Sequence, residues 1–286
     1  MNDKPRTIRA LLAATTPWLA ARGIEGARTD AEILIAHALG LRRLDLYLDL
    51  DRPLGDDELA RARALVARRG KREPVAYLVG TRELWGLAFE VTPDVLVPRP
   101  ETEHLIEVAL ARLLVDVEGT IVDACTGSGC VAVALLHERP GLSAVATDLS
   151  SAACAVAVRN AERHGVAARL DVRQGDLLAP CAELRNVLAV VANPPYVRDD
   201  EKPALAPELA FEPALALFGE GHDALGHHRR LLDEAPPLVR AGGFLACEIG
   251  ASQGEQVCAL PHEGFTAAVV SSDLAGHPRV ACWQRT

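Results

Sequence analysis

The sequence predicts an α/β protein with a seven-stranded, mostly parallel sheet, a small helical domain before it and a β-hairpin between the two. From Thr120 onward, short apolar runs alternate with segments of helical spacing, which is typical of a parallel sheet covered by helices on both faces. The first part of the chain shows helical periodicity alone. We therefore expect a helical domain at 1–78, a hairpin linker at 79–98 and a main domain at 99–286.

The predicted helices follow from apolar residues that recur at three- and four-residue steps. In the helical domain, Ala31–Leu39 shows this spacing, with Thr29 or Asp30 expected to begin the helix and Gly40 to end it. In the main domain, Asp223–Arg240 is predicted as one continuous helix.

Seven strands are predicted in the main domain, each from a short apolar run bounded by polar or turn-forming residues. They are Thr120–Ala124, Ser143–Asp148, Arg169–Arg173, Val187–Ala192, Gly243–Ile249, Thr266–Val270 and Val280–Trp283. Two further short strands about Gly86, within Arg82–Val91, predict the hairpin.

Composition places the chain among ordinary folded proteins, since 49% of its 286 residues are hydrophobic and 24% are charged. The segment Met1–Arg9 is polar and no apolar run reaches the roughly 18 residues that span a bilayer, so we expect a cytoplasmic protein without membrane contact. The seven cysteines have no C-x-x-C spacing and mostly lie in apolar runs. We therefore expect buried free thiols and no metal site.

The net charge of −9 is unevenly distributed. Residues 1–80 hold 14 lysines and arginines against 11 acidic residues, a balance of +3, whereas the remainder carries −12. Proteins that grip long nucleic acids usually carry a basic stripe, so extended DNA or RNA is a poor candidate ligand. A monomer is the default expectation.

The tetrapeptide Asn193–Tyr196, of sequence Asn-Pro-Pro-Tyr, directly follows the apolar run Val187–Ala192. Two prolines cannot continue a strand, so the chain stops pairing where an amide and an aromatic ring are presented. The side-chain oxygen of Asn193 and nearby free carbonyls provide two acceptors for a planar –NH2 group, and the ring can stack on its face. The simpler alternative is a Pro-terminated strand with an ordinary turn, and context decides between the two.

A glycine-containing loop, Gly127-Ser128-Gly129, follows the first predicted strand of the main domain. Its glycines let the backbone turn tightly and bring a ligand close to the start of the next helix. With Ala132 it satisfies the G-x-G-x-x-A fingerprint of dinucleotide-binding proteins, and Asp148 lies about twenty residues further on, as an NAD ribose ligand would. An acidic residue at that position binds the ribose of NAD or of S-adenosylmethionine, so these residues alone leave both cofactors open.

Three features favour S-adenosylmethionine. Asp123 stands just before the loop, where it would repel a pyrophosphate but suits the cationic end of a sulfonium ligand. Asp176 follows the third strand, well placed for an adenine amino group. Asn193–Tyr196 follows the fourth strand, and hydride transfer to or from NAD does not need a site that binds an amide. Each residue singly fits a turn or a helix cap, but together at successive strand ends they indicate a methyl-transfer site.

These motifs resemble those of class I S-adenosylmethionine-dependent methyltransferases and, more narrowly, the bacterial peptide chain release factor N5-glutamine methyltransferases. The resemblance covers essentially the whole chain. It is carried by Glu73–Gly80, Val97–Glu103, the glycine loop, Asn193–Tyr196, Phe211–Pro213, Asp273–Gly276 and Arg279-Val280. Because the tetrapeptide is shared with enzymes that methylate adenine, the first two segments are the part specific to this family.

The resemblance implies a Rossmann-like catalytic domain, S-adenosyl-L-methionine as cofactor and a release factor as protein partner, docked in part by the helical domain. The implied cofactor contacts are Arg99, Cys125, Thr126, Gly127, Ser128, Gly129, Asp148, Asp176, Leu177 and Asn193. The residues implied to hold the substrate glutamine are Asn193, Pro194, Pro195 and Tyr196, of which Asn193, Pro194 and Tyr196 are the implied catalytic residues.

Two positions depart from the family pattern. Cys125 stands where the loop usually begins with glycine, and its Cβ would make a positive φ strained. Because Gly127 and Gly129 remain, we expect cofactor binding to survive. Leu177 replaces an aromatic residue that some relatives use against the adenine, so ring stacking is not expected there.

On this interpretation the protein methylates the side-chain nitrogen of the glutamine in the GGQ motif of release factors and so modulates translation termination. Asn193 Oδ1 and the Pro194 carbonyl would accept the two amide hydrogens, and Tyr196 would stack on the amide plane. Phe211 and Glu212, in the loop that follows, would clamp the substrate.

Three alternatives stay open at this point. A glutamine methyltransferase acting on a large-subunit ribosomal protein would use identical chemistry. An adenine N6-methyltransferase would use the same tetrapeptide, although the acidic balance and the lack of a basic recognition domain argue against it. The third is a non-catalytic binding module, which the unusual Cys125 in the glycine loop would indicate.

Overall fold

The computed structural model describes residues 7–286, which fall into two compact units. One unit contains the chain up to Gly80 together with Ala206–Phe211, and the other contains the rest. Of the helical domain predicted at 1–78, the first six residues lie outside the described part. The predicted boundaries assign Ala206–Phe211 to the main domain, whereas its contacts group it with the helices.

The helical unit is built from amphipathic helices packed around leucine, isoleucine and alanine side chains. Its helices are α1 (Ile8–Ala20), α2 (Ala27–Leu39), α3 (Asp45–Leu48), α4 (Asp56–Arg69) and α5 (Val75–Val79). Helix α2 ends at Gly40, which has a φ of 66°, as predicted. The predicted start at Thr29 or Asp30 is wrong, because the helix begins after Gly26 and the Asp30 carboxylate instead accepts a hydrogen bond from Arg69.

A buried ionic cluster attaches the segment 206–211 to the helices of this unit. Arg69 is buried and donates to Asp30 Oδ2 at 2.7 Å and to Glu208 Oε1 at 2.8 Å. Arg72 donates to the other oxygen of Glu208 at 2.8 Å. Two guanidinium groups on one carboxylate satisfy the charges that burial would otherwise leave unpaired.

The predicted hairpin about Gly86 is confirmed. It consists of β1 (Thr81–Leu84) and β2 (Leu87–Glu90), which pair antiparallel. Its two-residue turn has positive φ at both positions, 55° at Trp85 and 68° at Gly86. This is the turn geometry that matches the right-handed twist of the two strands.

All seven predicted strands of the main sheet are present. The elements that follow the hairpin are α6 (Thr102–Leu110), β3 (Gly119–Ala124), α7 (Cys130–Glu138), β4 (Leu142–Asp148), α8 (Ser151–Arg163), β5 (Leu170–Gln174), β6 (Val187–Ala192), α9 (Gly226–Glu234), β7 (Val239–Glu248), α10 (Gly254–Cys258), β8 (Val269–Ser272) and β9 (Pro278–Gln284). No helix within residues 7–286 has the length and apolar character needed to cross a membrane.

The strand order of the sheet is β5-β4-β3-β6-β7-β9-β8, with β9 antiparallel to both of its neighbours and the other pairs parallel. The chain runs outward from β3 through β4 to β5 and then returns to β6 on the other side of β3. The crevice at this reversal, outside the carboxyl ends of the strands, is the usual ligand site of such sheets.

Several predicted boundaries are wrong, among them the start of β7, which lies at Val239 and not at Gly243. Helix α9 ends at Glu234 instead of continuing to Arg240, because Pro236 and Pro237 cannot continue it and the chain enters β7 at Val239. Strand β8 begins at Val269 and not at Thr266.

The two faces of the sheet are covered by separate apolar clusters. Residues of α6 and α7 pack with one face, and residues of α9 and α10 pack with the other. Strand β6 is buried along its whole length, which explains its continuous run of apolar residues. The sheet is therefore a rigid support for the loops at its carboxyl edge.

Asn160, on α8, is a fully buried polar residue that ties the hairpin to the glycine loop. Its Oδ1 accepts from the N–H of Glu90 at 2.7 Å, and its Nδ2 donates to the carbonyls of Glu90 at 3.0 Å and Ser128 at 2.8 Å. One side chain thus satisfies three backbone groups, including one of the loop that predicts cofactor binding.

Replacing Asn160 by alanine should lower the free energy of unfolding by about 2–4 kcal/mol, since it leaves three backbone groups without their partner. Urea denaturation measures the change. Arg163→Ala, on an exposed position of the same helix, is the control and should shift stability by no more than about 0.5 kcal/mol. Equal stability of the two variants would contradict this role for Asn160.

Candidate functional site

A cleft lies at the carboxyl edge of the sheet in the second unit. The crevice outside the carboxyl ends of the strands is where sheets of this order bind their ligands. The predicted site residues that line it are Arg99, Cys125, Thr126, Gly127, Ser128, Asp148, Asp176, Leu177, Asn193 and Pro195. The structure therefore brings most of the sequence-predicted residues together in one place.

Three predicted residues are not among those that line the cleft: Gly129, Pro194 and Tyr196. Gly129 has a φ of 78°, and a Cβ there would lie 3.1 Å from the Cα and Cβ of Ala157 on α8. The glycine is therefore required by the close packing of the loop against that helix. Pro194 is buried.

The backbone of the glycine loop takes left-handed conformations at Cys125 and Gly127 as well, with φ of 58° and 54°. Cys125 thus carries the positive φ for which the sequence predicted strain, of the order of 1 kcal/mol or more for a residue with a side chain. Burial raises the pKa of its thiol, so the side chain stays protonated and packs as a small apolar group. A Cβ at Gly127, by contrast, would meet no protein atom within 4 Å.

Two carboxylates lie at the base of the loop. Asp148 accepts hydrogen bonds from the N–H groups of Gly127 and Ser150, one on each oxygen, both at 2.9 Å. Burial raises the pKa of Asp148, while these two hydrogen bonds lower it. Because each oxygen accepts two hydrogen bonds, Asp148 retains capacity for two hydroxyl groups of a ligand.

Asp123 is almost completely buried. Its Oδ2 accepts from the Thr126 hydroxyl at 2.6 Å and from the Ala132 N–H at 3.2 Å. Burial raises the pKa of Asp123 to about 7, against the effect of these two hydrogen bonds. Asp123 therefore holds the loop in place through Thr126 and Ala132.

Asp176 and Leu177 form the far wall of the cleft, beyond β5. Asp176 is half exposed and its Oδ2 is paired with Arg230 at 2.7 Å. Leu177 has a φ of 45° and its carbonyl accepts from the buried Thr147 hydroxyl at 2.7 Å. The wall thus offers an aliphatic surface and a paired carboxylate, without an aromatic ring at Leu177.

Asn193 lines the cleft at the end of β6. Its Nδ2 donates to Thr102 Oγ1 at 3.3 Å, and the Thr102 hydroxyl donates to Glu248 Oε2 at 2.8 Å. The other oxygen of Glu248 accepts from the Tyr196 hydroxyl at 3.0 Å. Asn193 and Tyr196 are therefore held by one fully buried carboxylate.

Thr102 and Glu248 were missed by the reasoning from sequence. The one available signal for Glu248 is a single carboxylate inside the apolar run of β7, where an acidic residue is buried only if it is paired or hydrogen-bonded. Burial raises the pKa of Glu248, and the hydrogen bonds from Thr102 and Tyr196 lower it. Thr102 has no comparable signal, because threonine at the start of a helix is ordinary.

Glu212 has a different position from the one predicted. Its side chain is buried, accepts from the Val97 N–H at 3.0 Å and is paired with Arg99 at 2.5 Å. It therefore braces the segment that carries Arg99, and its carboxylate is not available to clamp a substrate. Phe211 is exposed.

No group of histidine, cysteine, aspartate or glutamate side chains in residues 7–286 comes together in a way that could hold a metal ion. The cysteines in this range are all free thiols.

The sheet order and the site at its switch point define the class: the protein is a class I methyltransferase. Residues 102–231 match the family described as "Methyltransferase small domain", and residues 10–80 match "PrmC N-terminal domain". A methyltransferase from Pyrococcus furiosus has a similar fold, with a TM-score of 0.52 and 14% identity over 79% of this chain and 98% of that one.

Two curated relatives match almost the whole chain. A release factor glutamine methyltransferase of Geobacter sulfurreducens is 43% identical over 98% of both chains. Another, of Cereibacter sphaeroides, is 46% identical over 94% of this chain and 95% of its own. The chain belongs to the release factor glutamine methyltransferase family, and the resemblance inferred from its motifs is confirmed.

The raised pKa of Asp123 makes stability depend on pH in a defined direction. In the unfolded chain the group titrates near 3.8, and in the folded protein near 7, so the folded state binds the extra proton between these values. The stabilisation is complete below pH 3.8 and is lost as the pH rises through 7. Relative to Asp123→Asn, the wild type should lose about 2–3 kcal/mol between pH 5 and pH 8.

Urea denaturation of both proteins at several pH values measures this difference. Asp233→Asn, at an exposed position on α9, is the matched control for the loss of one aspartate. A difference between wild type and Asp123→Asn that does not change with pH would show that the buried carboxyl group is not the cause.

Proposed function

We propose that the cleft binds S-adenosylmethionine and that the protein transfers its methyl group to the side-chain nitrogen of a glutamine in a release factor, held by Asn193–Tyr196. The observation that carries the proposal is that the Asn193 amide lines the same cleft as Asp148 and the glycine loop. An acceptor for an –NH2 group therefore lies beside a site suited to a nucleoside with a cationic end.

Family membership supports the reaction. The curated relatives are named release factor glutamine methyltransferases, and this chain matches them over nearly its full length. The predicted function and enzyme class, an S-adenosylmethionine-dependent protein-(glutamine-N5) methyltransferase, are confirmed on this basis. The same names favour release factors over a ribosomal protein or adenine as substrate. A monomeric state and a cytoplasmic location stay predictions.

The residues of the cleft fit the cofactor. When bound, S-adenosylmethionine supplies a methyl group on a positively charged sulfur. Asp148 would accept from the ribose hydroxyls, and the space that a Cβ at Gly127 would fill leaves room for a ligand against the backbone. The carboxyl group of Asp148 lies in the cleft wall, where a negative charge would favour a cation. The aliphatic Leu177 would lie against the adenine.

The substrate amide is a weak nucleophile because its nitrogen lone pair is delocalised into the carbonyl group. Asn193 Oδ1 and the Pro194 carbonyl would each accept one N–H hydrogen bond, which stabilises the positive charge that grows on the nitrogen. Fixing the nitrogen near attack distance removes a further part of the barrier. Once the new N–C bond has formed, the nitrogen loses one proton to water, so no strong base is required.

Replacing Asn193 by alanine should lower kcat by about 100-fold or more, the usual consequence of losing a preorganised hydrogen-bond acceptor or donor in the transition state. Cofactor affinity should change little. Radiolabelled methyl transfer to a purified release factor measures the rate. A ribosomal extract and duplex DNA serve as competing substrates in the same assay.

Preferred labelling of DNA or of a ribosomal protein by the wild type would contradict the substrate assignment. Activity of Asn193→Ala near that of the wild type would contradict the role of the tetrapeptide.

Replacing Asp148 by alanine should instead weaken cofactor binding by about tenfold or more, because hydrogen bonds to a charged group are among the strong ones. Isothermal titration calorimetry with S-adenosylmethionine measures the Kd. Asp199→Ala, at an exposed position of the loop after the tetrapeptide, is the control and should bind as the wild type does. An unchanged Kd in Asp148→Ala would place the ribose elsewhere.

A further inference from the structure

We infer that Thr102 and Glu248 are positioning residues that fix the orientation of the Asn193 amide, so that its oxygen faces the substrate. The inference rests on the proposed function, in which Asn193 Oδ1 accepts a hydrogen bond from the substrate nitrogen. It assigns a role in the reaction to two residues outside the tetrapeptide.

The register of the sheet places Asn193 and Glu248 side by side. Ala192, the last residue of β6, pairs with Cys247 of β7, so Asn193 and Glu248 are the next residues along two neighbouring parallel strands. Thr102 is the first residue of α6, and its buried hydroxyl lies between them. The contact therefore joins the end of β7, the start of α6 and the residue that directly follows β6.

The hydrogen bonds have a direction that is set by Glu248. The hydroxyl groups of Thr102 and Tyr196 each donate to one oxygen of Glu248, and Thr102 uses its only proton in this way, at 2.8 Å. Thr102 Oγ1 can then only accept from Asn193, at 3.3 Å, which requires Nδ2 to face Thr102. The side-chain oxygen of Asn193 is thereby directed to the opposite side of the planar amide.

The orientation matters because asparagine has two nearly isosteric ends of opposite polarity. With Oδ1 toward the substrate, the side chain accepts an N–H of the glutamine amide. With Nδ2 toward it, two donors would face each other and the transition state would lose its acceptor. Glu248 also accepts from the Tyr196 hydroxyl at 3.0 Å, so one carboxylate fixes both ends of the tetrapeptide.

Thr102→Val tests the inference, since it keeps the shape of the side chain and removes its hydroxyl. We expect kcat for a purified release factor to fall about tenfold, the effect of one hydrogen bond of ordinary strength. The Kd for S-adenosylmethionine should stay close to wild type, whereas the Tm should fall, because Glu248 loses a buried hydrogen bond; kcat is therefore measured at a temperature at which the variant is folded. Thr102→Ser, which restores the hydroxyl, should recover most of the rate.

Glu248→Gln provides a second variant of nearly unchanged shape. The glutamine amide carries an –NH2 donor in place of one carboxylate oxygen, so it would donate to the hydroxyl of either Thr102 or Tyr196. If it donates to Thr102, the Thr102 hydroxyl no longer donates to residue 248, and its proton can point toward Asn193. We expect a fall in kcat at least as large as that of Thr102→Val. If Glu248→Gln does not fold, the comparison of Thr102→Val with Thr102→Ser still tests the inference.

A double-mutant cycle separates positioning from an independent effect. If Thr102 acts through Asn193, adding Thr102→Val to Asn193→Ala should lower kcat no further. Two results would overturn the inference, provided that Asn193→Ala itself shows its expected loss of kcat. One is a wild-type kcat in Thr102→Val, and the other is additive losses in the double mutant. An active Asn193→Ala would instead overturn the proposed function itself.

Discussion

The register between the central strands is the constraint on which the rest of the site depends. Ala124 of β3 pairs with Ala192 of β6, which in turn pairs with Cys247 of β7. Because parallel strands end at the same edge, the glycine loop, the tetrapeptide and Glu248 follow at one level. A shift of one residue in β6 would exchange the side chains of its two buried faces and separate Asn193 from Thr102 and Glu248.

The site is also defined by how its buried carboxylates are satisfied. Asp123, Asp148 and Glu248 each accept hydrogen bonds from backbone N–H or hydroxyl groups of neighbouring elements. Burying an unpaired carboxylate is very costly, so each of these groups fixes the elements that donate to it. The same contacts that make burial tolerable thus preorganise the loop and the tetrapeptide before a ligand arrives.

The glycine loop shows how the family geometry survives a substitution. Cys125 keeps the positive φ that glycine would adopt without strain. The loop is held nonetheless by the hydrogen bond from the Thr126 N–H to the Thr147 carbonyl at 3.0 Å and by the Thr126 hydroxyl on Asp123. Strain of this kind persists where the surrounding contacts over-determine the backbone, as they do here.

The sequence alone determined the alternation of strands and helices, the loop and tetrapeptide that line the cleft, and the family, because these depend on local patterns. Thr102, Glu248 and the bracing position of Glu212 emerged only in the tertiary structure, since their partners lie 52 to 146 residues away along the chain. Nothing in the local pattern around Glu208 indicates that its segment joins the helical unit through Arg69. Such long-range pairing depends on strand order and register, which no single stretch of sequence specifies.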